Sequence, residues 1–128
     1  NVGGGTGMIC HGFKGGIGTS SRKLSPDAGG WTVGVLVQAN YGLRKSFRVD
    51  GVPVGRLIPE TAVPGARMNV DEHALPPGSG SIIIVVATDA PLLPSQCRRM
   101  ATNSAVGLSR IGGGGAPIAA HHALHACG

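Results

Sequence analysis

The chain has 128 residues, 41% of them hydrophobic and only 13% charged, enough for one folded unit with one core and outside the disordered class. Its 23 glycines cluster at 3–5, 15–18, 29–30 and 112–115 without a period, which excludes collagen and low-complexity linkers. The net charge is +5, but the basic residues are scattered and aromatics are 3%, leaving few platforms on which bases could stack, so no nucleic-acid partner is expected.

Residues 1–30 read as tight loops or short strands joined by turns, with GGGTGM and GGIGTSS as their regularities. WTVGVLVQA (31–39) is valine-rich and apolar on both alternating sets, which predicts a strand covered on two faces and ended by Asn40-Tyr41-Gly42. VDGVPVGRLI (49–58) predicts a turn at Asp50-Gly51 and then a short strand interrupted by Pro53. Residues 59–80, with four prolines and three glycines, predict an exposed connector where a cut would disturb little packing.

SIIIVVA (81–87), with five β-branched residues in succession, predicts a central strand apolar on both faces. Thr88-Asp89-Ala90-Pro91 closes it, with Asp89 expected to cap the turn into the next helix. Cys97, Met100, Ala101, Ser104, Ala105 and Leu108 then recur at helical spacing, with Pro94 in the first turn and Gly112 at the stop.

Cys10, Cys97 and Cys127 form no CxxC and leave an odd count, so neither a zinc knuckle nor a disulfide framework is indicated. A reducing compartment, the cytoplasm, is the expectation. The longest apolar run falls far short of the roughly 20 residues that span a bilayer, so no membrane partner is expected. The chain opens Asn-Val-Gly-Gly-Gly without a methionine or a signal peptide, as a mid-protein segment does.

A serine at the first position of a stiff strand, preceded by PPGSG in a loop, is suited to intramolecular acyl transfer. Gly80 can reach backbone angles closed to other residues, letting the Ser81 hydroxyl approach the carbonyl just before it. Hydrolysis of the resulting ester would leave Ser81 with a free α-amine, whose reference pKa of about 7.7–8.0 suits a general base toward its own hydroxyl. Asn40, at a strand end, offers a side-chain amide as oxyanion donor. On spacing alone, a serine after Pro/Gly is a turn residue and an asparagine ending a strand is a turn former.

GGGTGM, GFKGGIGTSSR, WTVGVLVQANYG and above all GSGSIIIVVATDAPLLPSQCRRMA are similar to the DmpA family of aminopeptidases, also called the β-aminopeptidyl type. The likeness covers about residues 2–112, with the run from Gly78 to Pro94 its most specific part. It implies an α+β fold, part of an αββα sandwich, and autocleavage between Gly80 and Ser81. Residues 1–80 would be the end of an α-subunit-like part and 81–112 the start of a β-subunit-like part of one partial domain. The activity implied is hydrolysis of short peptides, amides or esters with a free amino terminus, in some members with D- or β-residues. Ser81 and Asn40 would be the catalytic nucleophile and the oxyanion donor. Oligomers of processed α/β heterodimers are implied, and no metal or organic cofactor.

Two departures accompany the resemblance. The family chain begins well upstream, where a substrate-site tyrosine lies. After the helix it continues into Ser-Gly-Asp or Ser-Gly-Glu, whereas GGGGAPIAAHHALHACG here puts Ala119, Ala120 and His121 at that place. An aberrant tail over 113–128, from a reading-frame shift near Gly113–Pro117, and an inactive fragment are therefore the expectation.

Two rival chemistries have weaker patterns. His121 and His125 would stand one helical turn apart, as on zinc-binding helices, but HHALH has no glutamate between them and no evident third ligand. The glycine-rich words GGGTGM and GGIGTS suggest a phosphate- or nucleotide-binding module, but a P-loop needs Gly-x4-Gly-Lys-Ser/Thr, whereas here Gly12 precedes Phe13-Lys14-Gly15.

Overall fold

The computed structural model describes residues 2–65 and 80–113, together with the backbone of 118–123. The chain first forms a small hairpin of β1 (Ile9–Cys10) and β2 (Phe13–Lys14). Its two-residue loop has positive φ at both positions, 51° at His11 and 74° at Gly12, the handedness that matches the twist of paired strands. Next come β3 (Gly16–Lys23) and β4 (Thr32–Asn40), the single helical turn α1 (Val54–Leu57), β5 (Gly80–Thr88), the long helix α2 (Pro94–Arg110) and β6 (Ile118–Ala123).

The last four strands form one sheet in the order β3-β4-β5-β6. β3 and β5 both run antiparallel to β4, while β6 lies parallel to β5. A parallel neighbour requires a crossover, and α2 supplies it, packed on the β5 side of the sheet. Helix α2 begins where Pro94 fits the first turn, and the Gln96 side-chain oxygen accepts the Leu93 N–H at 2.7 Å. The chain then leaves through Gly112 at φ 95°.

On one face of β5, Ile82 and Val86 are 2% and 5% exposed, and Cys97 of α2 is also buried. The other face of the sheet is open in this chain: Ile83, Leu36 and Ile17, which share it by register, are 36–39% exposed. The expectation that β4 and β5 are covered on both faces therefore holds for one face only, because the described chain supplies a single helical layer.

Three local expectations are corrected. GIGTSSRK forms an eight-residue strand rather than a loop or short strand, because pairing with β4 satisfies its backbone whatever its weak propensity. Asp50 and Gly51, at φ 49° and 80°, make the predicted turn between Val49 and Val52, but VGRL after Pro53 is a helical turn rather than a strand. Asp89 does not cap the turn into α2: its carboxylate accepts the Thr32 N–H at 2.6 Å, while the Thr88 hydroxyl donates to the Thr32 carbonyl at 2.7 Å. Those bonds tie the end of β5 to the start of β4.

Residues 59–65 of the connector are largely exposed, Glu60 among them. Asp71, Glu72 and His73 lie outside the described residues. Arg44 holds the near end of the connector, its guanidinium donating to the carbonyls of Val63 at 2.7 Å and Ile58 at 3.1 Å while stacking 4.4 Å over Phe13. Among the described residues no helix is long and apolar enough to cross a membrane.

Candidate active site

Ser81 and Asn40 are register partners across β4 and β5. Residues directly opposite in an antiparallel pair project to the same face. Both therefore belong to the open face of the sheet, with Ser81 itself exposed and Asn40 half-buried. The sequence suggests the two residues separately; the sheet puts them side by side.

Gly80 is the first residue of β5, and its φ is not positive. The conformational freedom expected of it is thus not exercised in this strand. A Cβ at this position would meet the Tyr41 Cα and Cβ at 3.4 Å and the Asn40 carbonyl oxygen at 3.5 Å, ordinary contact distances. The peptide before Ser81 accordingly runs close along the Asn40-Tyr41 backbone.

The Asn40 side chain is oriented by a backbone bond, since its Oδ1 accepts the Ile9 N–H at 3.1 Å. With the oxygen end of the amide engaged, the NH2 end is the one left to act as donor toward a reacting carbonyl. The Met8–Ile9 peptide that makes this bond is itself anchored. The Met8 carbonyl accepts from the Gly15 N–H at 2.9 Å and from the Lys14 ammonium at 3.1 Å. A Cβ at Gly15 would lie 2.6 Å from the Ala39 carbonyl oxygen and 2.9 Å from Ile9 N, so only a hydrogen fits there.

Behind Asn40 the chain is clamped by aromatic packing. His11, 2% exposed, bonds through its backbone N–H to the Tyr41 carbonyl at 2.8 Å and through Nδ1 to the Leu43 carbonyl at 3.2 Å. A carbonyl can only accept, so Nδ1 carries the proton, and Nε2 is a buried acceptor without a partner. The ring stacks 4.9 Å from Phe47 and meets Tyr41 edge-on at 5.0 Å. Burial pushes the His11 pKa down, partly opposed by the Leu43 bond.

The Tyr41 phenol is pushed well above its ordinary range, first by burial and then by Cys10. Burial likewise raises the Cys10 thiol, while the bond from the Tyr41 hydroxyl acts the other way. Both shifts favour the neutral forms of the two groups.

Neither rival chemistry gains a site among the described residues. Lys14, the lysine next to the glycine-rich words, donates to three carbonyls, those of Gly5, Met8 and Gly15, so oxygens rather than amide hydrogens converge on it. The glycine-rich words run into strands and 3-10 turns, not into a helix N-terminus that would hold an anion. Residues 118–123 form a strand, so the helical spacing proposed for His121 and His125 does not apply; position 125 lies outside the described residues. No group of three metal-ligating side chains gathers among the described residues.

Sequence reasoning overlooks Lys14 and His11 as parts of this arrangement. A lysine between a phenylalanine and a glycine carries no spacing signal for carbonyl binding, and a histidine at positive φ in a hairpin loop carries none for a buried clamp.

One sequence relative and two solved structures match this chain. The chain is 49% identical over 119 residues to the beta-peptidyl aminopeptidase BapA of Sphingosinicella microcystinivorans, covering 90% of this chain and 30% of that protein. The solved structure of a Burkholderia sp. beta-aminopeptidase superposes with a TM-score of 0.72 at 53% identity, over 92% of this chain and 30% of that one. The L-aminopeptidase D-Ala-esterase/amidase of Ochrobactrum anthropi, described as a new variant of the Ntn hydrolase fold, superposes with a TM-score of 0.74 at 41% identity, over 92% of this chain and 29% of that one. The chain spans about 30% of the length of the relatives it matches.

The α+β layers described above are accordingly part of an N-terminal-nucleophile-type sandwich. The family model for peptidase family S58 matches residues 1–121, and with these relatives it establishes that the chain belongs to that family, the DmpA-type aminopeptidases.

Proposed function

We propose that the chain carries the self-processing and catalytic serine of an aminopeptidase acting on short peptides, amides or esters with a free amino terminus. The observation that carries this reading is the register pairing of Ser81 with Asn40 on the open face of the sheet. Family membership and the β-peptidyl specificity named for the Sphingosinicella relative support the substrate class, β-residues included.

In the processing step the Ser81 Oγ attacks the Gly80 carbonyl carbon. The C–N bond breaks as the C–O bond forms, and the hydroxyl proton passes to the departing nitrogen. Water then hydrolyses the ester, leaving a Gly80 carboxylate and Ser81 with a free α-amine. That amine, with a reference pKa of about 7.7–8.0, takes the proton of its own hydroxyl when a substrate carbonyl is attacked. The Asn40 NH2 donates to the oxyanion in both steps.

Residues 1–80 are then the end of an α-part and 81–112 the start of a β-part, and the full-length protein assembles as an oligomer of such pairs. The departure at Ala119, Ala120 and His121 bears on activity, because the hydroxyl and carboxylate that the family places there are replaced in this sequence. Intact-mass analysis of the full-length protein, native against Ser81→Ala, tests the reading. Two fragments meeting at Gly80–Ser81 are expected for the native chain and one uncut mass for the variant; an uncut native chain refutes processing, and equal turnover of an aminoacyl amide by both refutes the nucleophile.

A further inference from the structure

A single peptide unit joins a cation to the candidate oxyanion donor. The carbonyl of the Met8–Ile9 peptide accepts from Lys14 Nζ at 3.1 Å, and the N–H of the same peptide donates to Asn40 Oδ1, also at 3.1 Å. We propose that Lys14 is a positioning residue for the aminopeptidase reaction, acting on the Asn40 amide through the Met8–Ile9 peptide; this rests on the reading of Asn40 as oxyanion donor.

Two physical effects work in the same direction. The first is orientation. Lys14 gathers the carbonyls of Gly5, Met8 and Gly15 at 2.8–3.1 Å, which fixes the tilt of the Met8–Ile9 plane and hence the direction in which its N–H meets Asn40. Gly15 makes this possible, since any side chain there would push that peptide off β4.

The second effect is polarisation. A positive charge on the carbonyl oxygen draws density through the amide, making Ile9 N–H a stronger donor; Asn40 Oδ1 then accepts more, and its NH2 becomes the more acidic donor. Chains of hydrogen bonds strengthen one another in this way by about 10–30% per bond. Lys14 is itself exposed, so water screens part of its charge and the effect on rate is modest.

The test is a double-mutant cycle in the full-length protein, read as kcat and KM for an aminoacyl amide. Lys14→Met, which keeps the aliphatic stem, is expected to lower kcat about three- to tenfold with KM little changed, a fraction of the loss from removing an oxyanion donor outright. Lys14→Arg, which keeps a cation at the same carbonyls, is expected to restore most of kcat. In an Asn40→Ala background, Lys14→Met should cost less than twofold, because the group it acts through is gone.

An equal loss in both backgrounds would make Lys14 a merely structural residue and overturn the proposal. Full kcat in Lys14→Met with Asn40→Ala impaired would overturn it while leaving Asn40 as donor. Full kcat in Asn40→Ala would remove the reading beneath it as well. Should Lys14→Met not fold, Lys14→Gln, a neutral donor of similar reach, takes its place in the cycle, and the same comparison between backgrounds decides.

Discussion

Asn40 and Ser81 stand directly opposite each other at one end of the β4–β5 ladder, with the Asn40 amide already turned by the Ile9 N–H. Preorganised donors of this kind act without rearranging at the moment of reaction. Asn40→Ala in the full-length protein is expected to lower kcat by about 10²–10³ with a small change in KM. Asn40→Asp should be at least as poor, since it sets a carboxylate where an oxyanion forms. Steady-state kinetics on an aminoacyl amide checks both.

Gly80 separates two questions that the sequence joins. In the strand it has ordinary extended geometry and room for a Cβ at 3.4–3.5 Å from its neighbours. Gly80→Ala is therefore expected to leave Tm unchanged or slightly raised, within about 1 kcal/mol of stability. If the carbonyl before Ser81 must flex to be attacked, the same variant will self-cleave more slowly, as a time course of intact mass would record.

Gly42 has no such room. Its φ is 86°, and a Cβ there would collide with the His11 ring. Gly42→Ala is expected to cost about 2 kcal/mol or more, from backbone strain and overpacking together. Because Gly42 follows Asn40 by two residues, activity should fall with stability. Thermal melts and kinetics on one preparation measure both.

His11 sets a pH dependence whose sign follows from burial. Its pKa is lowered in the fold from the ordinary 6.5, so the unfolded chain takes up the proton first as pH falls. Stability is expected to be full above about pH 6.5 and to decline as pH drops from there through the lowered folded value. His11→Asn, a residue that tolerates positive φ, should be less stable at pH 7.5 but should show a flatter loss between pH 7 and 5. Denaturant titrations at several pH values would reveal an unchanged slope if the histidine were not responsible.

Much of the framework is legible from residue order. The valine run of β4, the isoleucine run of β5 and the 3.6-residue spacing of α2 locate those elements to within a residue or two, because burial on at least one face fixes such patterns. β3 is not legible: Gly16, Gly18, Ser20 and Ser21 have little strand preference, and a neighbouring ladder imposes the conformation. The helical turn at 54–57 escapes because Pro53 reads as interrupting a strand when it stands at the start of a helix. Ser81 and Asn40 are named by resemblance, but their adjacency depends on an eight-pair register that spans the connector. The role of Lys14 depends on three carbonyls brought together by hairpin geometry, which no spacing encodes.

That register bears on what a break in the backbone ahead of Ser81 would leave behind. The strand on each side of the ladder would belong to a different polypeptide, yet eight paired positions would go on holding the two together. Daughter chains made this way do not drift apart like the products of ordinary proteolysis. Separating them would mean unzipping the middle of a sheet, so a new amino terminus made there would stay fastened beside the asparagine it faced before the cut.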